Sequence, residues 1–174
     1  MAKAQPNAVD MLKADHRKVE ELFEKYESSR GRKAEIAKTI CKELIVHTIL
    51  EEEIFYPACR EAGVDEDKLD EAAVEHDGAK VLIAELEHGS PADDYYDAKV
   101  RVLAEEIKHH VREEEKPGGV FAQVKSKGAD LEAIADQLKT RKEQLLSEIH
   151  EDSLPPPITR TMRAEALERG QPTQ

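Results

Sequence analysis

The sequence predicts an all-α protein, an up-down-up-down four-helix bundle with an additional C-terminal helix and a disordered tail. Aromatic residues make up 4% of the chain and Trp is absent, whereas β-sandwiches and barrels are rich in aromatic and β-branched residues. Apolar residues recur at the three- and four-residue spacing of a buried helix face, as at Val9, Leu12, Val19 and Phe23. A chain of 174 residues suffices for one well-packed core.

Four periodic segments predict the helices of the bundle, and they cover residues 7–28, 32–62, 65–88 and 90–117. Asn7 or Asp10 caps the first helix, and Asp65 caps the third. Pro57 kinks or ends the second helix, and Ser90 opens the fourth. The short loops between these segments predict antiparallel neighbours.

A fifth apolar pattern lies between Asp130 and His150, and this helix either docks on the bundle or pairs with another subunit. The chain then becomes rich in Pro, Thr, Arg and Glu, a composition typical of disorder. We therefore expect residues 1–125 to form the bundle, residues 126–152 an accessory C-terminal helix, and residues 153–174 a disordered tail.

Charge and cysteine content exclude several classes of protein. A formal net charge of -12 repels phosphate backbones and anionic lipid, so we expect no nucleic acid and no membrane partner. No segment reaches the roughly 20 apolar residues of a membrane span, and the first residues lack the apolar core of a signal peptide. Cys41 and Cys59 would lie about five turns apart on one helix, too far for a disulfide. Reduced thiols and a cytoplasmic location are therefore expected.

Each of the four predicted bundle helices carries a histidine on its apolar stripe. The polar residues at core-facing positions are His16, His47, Glu51, His76, His110 and Glu114. Glu51 follows His47 by four residues and Glu114 follows His110 by four residues, so each pair lies on one face of its helix. A single histidine on such a stripe is more often a satisfied core residue, and glutamate runs are usually solvated. The set of six is what requires a common explanation.

A shared metal would satisfy all six groups, because unpaired buried carboxylates and imidazoles are costly. Neutral imidazole and carboxylate are ordinary metal ligands. Six ligands exceed the needs of one tetrahedral zinc ion, and no paired cysteines stand at structural-zinc spacing. The pattern favours two ions, with iron preferred and manganese possible.

The same residues give the chain a resemblance to hemerythrin-like proteins of the HHE cation-binding family. The matching segments are Asp15-His16, residues 47–53 with Tyr56-Pro57, Glu75-His76-Asp77, and residues 109–115. The resemblance covers about residues 8 to 125. It implies a four-helix bundle around a non-haem di-iron centre, with the four histidines as terminal ligands and Glu51 and Glu114 as bridges.

The chain departs from the oxygen-carrying members of that family at the position of Lys80, where they have a further histidine. The resemblance therefore makes reversible oxygen carriage less expected, and Lys80 either approaches the metal or extends outward to solvent. In those carriers the last carboxylate stands five residues after its histidine. Glu115 thus competes with Glu114 as a ligand, and His109 competes with His110.

Three functions stay open at this point. The first is a di-iron protein that binds or reacts with oxygen, peroxide or nitric oxide in redox or stress response, with peroxide decomposition as one possible activity. The second is an iron-storage or iron-sensing module without catalysis. The third is a helical interaction protein that assembles through its fifth helix. We expect a small diatomic ligand or peroxide as partner, and a monomer or small homo-oligomer.

Overall fold

The computed structural model describes residues 5–162, and within this range the chain is helical with no β-strand. The elements are α1 (Ala8–Ser28), α2 (Lys33–Leu50), a π-helical turn (Glu51–Phe55), α3 (Tyr56–Ala62), α4 (Glu66–Glu87), α5 (Tyr96–Glu115), α6 (Val120–Ser126) and α7 (Leu131–Glu148). The all-α prediction is therefore confirmed.

Three helices begin at side-chain caps, two of which, Asn7 and Asp65, the sequence indicated. Asn7 accepts a hydrogen bond from the backbone N–H of Asp10, whose carboxylate accepts in return from the backbone of Asn7. Asp65 caps α4 by accepting from the backbone N–H of Asp67, and Asp130 caps α7 by accepting from that of Ala133. These side chains satisfy backbone donors that have no partner inside the first helical turn.

The start of α5 differs from the prediction that Ser90 opens this helix. Asp93 accepts from the backbone N–H of Ser90 at 2.7 Å, and the backbone N–H of Asp93 donates to the carbonyl of Ser90 at 2.8 Å. These local hydrogen bonds hold a turn, and Tyr95 adopts the left-handed φ of 67°. The helix consequently begins only at Tyr96.

Helices α1, α2, α4 and α5 enclose the apolar core. Helix α1 packs against α2 and α5, and α4 packs against the same two helices. Each contributes fully buried leucines, which are Leu12, Leu44, Leu69 and Leu103. Burial of one such side chain stabilises the fold by roughly 1.5–3 kcal/mol. All four helices therefore present one face to a common interior.

The fifth predicted helix, α7, docks on this core. It contacts α1, α2 and the π-helical turn, and it buries Leu138 and Leu145. Lys142 forms an ion pair with Asp15 on α1, and Arg141 forms one with Glu53 at 2.8 Å. Of the two arrangements left open for this helix, the structure has the docked one.

Residues 153–162, the first part of the tail for which disorder was predicted, lie against α4. Leu154 is buried, and its backbone N–H donates to Glu87 on α4 at 3.0 Å. The next residues continue along α4 to Met162, where the described chain ends. These contacts are to partners on α4, which the local Pro-rich composition does not reveal. Residues 163–174, the rest of the predicted tail, lie outside the described residues.

Two further properties of residues 5–162 bear on the sequence expectations. No helix in this range combines the length and the apolar character that a membrane crossing requires. Cys41 and Cys59 are free thiols, both buried.

Candidate metal centre

The six predicted site residues meet inside the helical core. All are buried, with exposed fractions between 0% and 6%, and they are His16, His47, Glu51, His76, His110 and Glu114. The imidazoles form two pairs joined through Nε2. The Nε2 atoms of His16 and His47 lie 3.2 Å apart, and those of His76 and His110 also lie 3.2 Å apart.

Glu51 stands between the two histidine pairs. Its Oε2 lies 3.2 Å from Nε2 of His47 and 3.2 Å from Nε2 of His76. Glu51 belongs to two groups of possible metal ligands, and in each group the ligand atoms lie within 4.8 Å of one another. The first group is His16, His47 and Glu51, and the second is His76, His110 and Glu51. One glutamate thus belongs to two adjacent potential metal sites.

Glu114 makes a second connection between the pairs. Its Oε2 lies 3.5 Å from Nε2 of His16 and 3.6 Å from Nε2 of His110. The alternative Glu115 does not face this cluster, because its Oε1 accepts from Nδ1 of His16 at 2.8 Å on the opposite side of the ring. His109 is likewise turned outward, with 47% of its side chain exposed. Glu114 and His110 are therefore the residues that the helix register directs inward.

Each of the four histidines meets a second carboxylate at its outer nitrogen, Nδ1. The pairs are His16 with Glu115 (2.8 Å), His47 with Asp15 (3.8 Å), His76 with Glu52 (3.1 Å) and His110 with Glu75 (2.7 Å). Three of these contacts are hydrogen bonds, which fix the tautomer and ring orientation so that the other nitrogen is free to bind metal, whereas Asp15 lies at ion-pair distance from His47. The imidazoles are thus arranged as metal ligands usually are.

These four outer carboxylates follow a cyclic order around the helices. Each is adjacent in sequence to a site residue of its own helix but reaches the histidine of the next helix. Asp15 on α1 reaches His47 on α2, and the cycle closes when Glu115 on α5 reaches His16 on α1. Sequence reasoning assigned no orienting role to these carboxylates, and considered Glu115 as a competitor of Glu114 for the metal. The acidic residue beside each site residue was the available signal.

The π-helical turn brings two side chains of one helix into the site. The backbone N–H of Tyr56 donates to the carbonyl of Glu51, five residues earlier, so the turn contains one extra residue. The hydroxyl of Tyr56 consequently lies 3.3 Å from Glu51 Oε2 and donates to Glu114 Oε1 at 2.9 Å. Its distance to Nε2 of His76 is 3.4 Å. Tyr56 is a site residue that the sequence prediction did not include.

Aromatic rings close the side of the cluster next to α6. Phe121 stacks on His16 with 5.6 Å between ring centres, and it meets Phe55 edge-on at 5.5 Å. Both phenylalanines are buried. This wall limits access of water to His16, and its member Phe121 comes from α6, a segment that the sequence predicted only as a short helical turn.

Lys80 does not extend to solvent as one of the predictions held. Only 4% of the residue is exposed, and its Nζ donates to Glu52 Oε1 at 2.6 Å. Glu52 in turn accepts from Nδ1 of His76 at 3.1 Å. The ammonium group is thus compensated by an outer carboxylate, one step removed from the imidazole.

Burial and charge act differently on the pKa values of His16 and His47. Burial lowers the pKa of His16 to about 4, although Glu115 opposes this change. Burial acts in the same direction on His47, but the charges of Glu51 and Asp15 outweigh it and raise the pKa of that imidazole to about 10. At neutral pH without metal, His16 is neutral and His47 retains a proton.

The two inner carboxylates also differ. Burial raises the pKa of Glu114 to about 7, and the charge of Glu51 adds to the effect. Burial opposes ionisation of Glu51 as well, yet the surrounding histidines, His47 first, hold its pKa well below the ordinary value. The cluster thus favours positive charge at its centre, supplied by protons or by a metal ion.

Buried carboxylate oxygens without hydrogen-bond partners also indicate that the cluster fits a metal ion. Two buried carboxylate oxygens, Glu51 Oε1 and Glu114 Oε2, have no hydrogen-bond partner among residues 5–162. Buried oxygens of this kind are costly unless a partner satisfies them. Imidazole nitrogen and carboxylate oxygen without thiolate suit iron or manganese.

Comparisons with known proteins agree with this interpretation. The profile of the hemerythrin HHE cation binding domain matches residues 7–117. A protein of Nostoc sp. named DNA nickase is 32% identical over 111 residues, a match that covers 63% of this chain and 31% of the relative. The chain therefore spans about a third of the length of that relative. A crystal structure of an HHE cation-binding-domain protein from Mycobacterium kansasii superimposes with a TM-score of 0.69, covering 83% of this chain and 90% of that one, and its 22% identity indicates a shared fold.

Proposed function

This chain belongs to the hemerythrin HHE cation-binding domain family, and we propose on that premise that it is a non-haem di-iron protein. It reacts with oxygen, peroxide or nitric oxide in redox or stress response. The observation that carries this proposal is the position of Glu51, whose Oε2 is shared between two groups of ligand atoms. A carboxylate between two histidine pairs suits two ions better than one.

The ligands divide naturally between the two ions. His16 and His47 would hold one ion, and His76 and His110 the other, with Glu51 and Glu114 between them. Helices α1, α2, α4 and α5 would form an up-down-up-down bundle over residues 1–125. Residues 126–152 would form the accessory C-terminal helix. Manganese is the alternative metal for the same ligands.

An iron pair, when bound, supplies redox chemistry and a position open to a small ligand. The chain contributes the surroundings of that position. Burial and the charges of Glu114 and Glu51 raise the pKa of Tyr56 well above its ordinary value, so its hydroxyl stays protonated. It can therefore donate a hydrogen bond inside the site. The apolar wall of Phe55 and Phe121 excludes water on one side.

Access to the centre favours a small ligand. A narrow cleft between α4 and α5 reaches the cluster, and its walls include Glu75, His110, Glu114 and Val120. Every site residue beyond this cleft is buried. Oxygen, nitric oxide or peroxide would fit such a passage, and a large substrate would not.

The second candidate is an iron-storage or iron-sensing module, and enclosure of all six ligands favours it. In such a module, metal occupancy would set the stability of the fold, and the bound iron would not catalyse a reaction. DNA nicking, the activity in the name of the Nostoc relative, has less support as a function of this chain. The match covers 31% of that protein, and a net charge of -12 repels DNA.

The proposal is tested by the absorption spectrum of the iron-loaded chain before and after addition of peroxide. We expect charge-transfer bands that change with peroxide and an accompanying loss of peroxide. Glu51→Gln should abolish the change, whereas Glu53→Gln, two residues along on the surface, should retain it. A stable iron-loaded spectrum with no peroxide consumption would favour the storage or sensing module.

A further inference from the structure

The last described residues, 158–162, lie over α4 beside the cluster, and we call this segment the strap. It is anchored at Asp77, which is next to His76. One carboxylate oxygen, Oδ2 of Asp77, accepts from the backbone N–H of Arg160 at 2.8 Å, Thr161 at 2.6 Å and Met162 at 3.2 Å. The hydroxyl of Thr161 donates to the same oxygen at 2.7 Å. Hydrogen bonds to a charged carboxylate are among the stronger ones in proteins.

The strap is also connected to the outer carboxylate of His76. The Nζ of Lys80 donates both to the carbonyl of Ile158 at 3.1 Å and to Glu52 Oε1 at 2.6 Å. Arg160 places its Nε 3.3 Å from Glu52 Oε2. Since 56% of the Arg160 side chain is exposed but only 6% of Lys80, the buried lysine makes the stronger of these two connections.

Polar contacts rather than apolar burial hold the strap in place. Ile158 is 75% exposed and Met162 is 40% exposed, so neither of its large apolar side chains is packed away from water. The bonds to Asp77 and Lys80 carry the attachment instead. A segment held in this way can detach without disruption of the helical core.

We propose that the strap is a functional part of the centre that holds Glu52 against His76 and slows loss of the ion bound by His76 and His110. This inference rests on the proposed di-iron function. With the strap detached, water reaches Glu52 and Lys80, and the contact that orients His76 weakens. The ion held by His16 and His47 is little affected, because its outer carboxylates are Glu115 and Asp15. Loss of an outer partner typically weakens metal binding about 10–100-fold.

The test compares iron release from four chains. One ends at Pro157 and lacks the strap, and its matched control ends at Ala164 and keeps it. The third is the full chain, and the fourth is the full chain with Thr161→Pro, which removes both the N–H and the hydroxyl that bind Asp77. Each is loaded anaerobically with ferrous iron, desalted, and mixed with excess ferrozine, and absorbance records release over time.

We expect equal iron at time zero in all four chains. In the chain ending at Pro157 and in Thr161→Pro, one of the two release phases should accelerate about tenfold or more, while the other stays unchanged. The chain ending at Ala164 should behave like the full chain. Equal rates in all four, or acceleration of both phases together, would overturn the role of the strap. A full chain without iron at time zero would overturn the di-iron function, and this inference with it.

Discussion

Nδ1 of His16 and Oε1 of Glu115 lie 2.8 Å apart, so a carboxylate at the end of α5 orients an imidazole on α1. The contact turns the other nitrogen of His16 toward His47. It also explains why two successive glutamates have different tasks. Glu114 faces the cluster, and Glu115 supports it from outside.

Substitution of three successive glutamates by glutamine tests this division. Glu114→Gln should lose iron most severely, because it removes a carboxylate that spans both histidine pairs. Glu115→Gln should weaken iron binding about 10–100-fold through the orientation of His16. Glu113→Gln should leave it unchanged, since among residues 5–162 Glu113 forms its ion pair with Lys116, at the surface.

Iron affinity is measured for each variant by competition with a chelator of known strength. Circular dichroism of the metal-free variants controls for folding. A greater loss in Glu115→Gln than in Glu114→Gln would show that the two roles are reversed.

The adjacent histidines His109 and His110 provide a second test of which side chains of α5 face the cluster. His110→Gln should lose the ion on its side of Glu51, because its Nε2 lies 3.2 Å from that of His76. His109→Gln should retain iron, since nearly half of this side chain is exposed and its contact is to Glu75. Iron per chain by elemental analysis separates the two. Loss of iron in His109→Gln with retention of iron in His110→Gln would contradict the inward position of His110.

Iron binding should release protons and strengthen as the pH rises. Against the effect of burial, Glu51 and Asp15 raise the pKa of His47 to about 10, so the metal-free chain keeps this imidazole protonated at neutral pH. Metal must displace that proton. Iron affinity should therefore increase with pH, because a higher pH removes the proton that competes with iron for His47.

Calorimetry in buffers of different ionisation enthalpy measures the proton count at pH 7. We expect net release in the wild type and a smaller release in His47→Gln. Affinity that stays constant between pH 6 and pH 8 would be evidence against a protonated His47.

Gly119 connects α5 to the aromatic wall, and it has no room for a side chain. A Cβ there would lie 2.4 Å from the carbonyl oxygen of Glu113 and 2.6 Å from that of Glu114. Gly119→Ala should therefore destabilise the fold by about 1–3 kcal/mol. Gly31, with nothing within 4 Å of such an atom, is the matched control, and Gly31→Ala should be neutral or slightly stabilising.

Denaturant unfolding of both variants in the metal-free state gives the comparison. The spacing of Glu114 from α6 depends on this close backbone approach, so Gly119→Ala should also weaken iron binding. Equal stability of the two alanine variants would show that the chain relieves the contact at little cost.

The inward-facing positions of the six inner side chains were predictable from sequence because helical periodicity selects them. Successive helix residues are about 100° apart, so only one member of a run such as residues 113–115 can face the core. The stripe through Leu103 and Ile107 indicated His110 and Glu114, which the structure places inside. The same argument selected Glu51 from residues 51–53.

The outer carboxylates and the strap could not be derived in this way. Each outer carboxylate serves a histidine on another helix, and local periodicity does not give the relative rotation of two helices. The strap follows three prolines, a composition typical of disorder, yet its backbone is bound by Asp77, about 80 residues earlier in the chain. Tyr56 enters the site through an extra residue in the π-helical turn, which a regular helical pattern does not anticipate.

The most direct test is the amount of iron per chain after anaerobic loading with ferrous iron and desalting, measured for wild type, Glu51→Ala and the surface control Glu53→Ala. The shared position of Glu51 predicts two irons per chain in the wild type and in Glu53→Ala, and fewer than one in Glu51→Ala. One iron or none in the wild type, or two retained by Glu51→Ala, would contradict a di-iron centre built around this carboxylate.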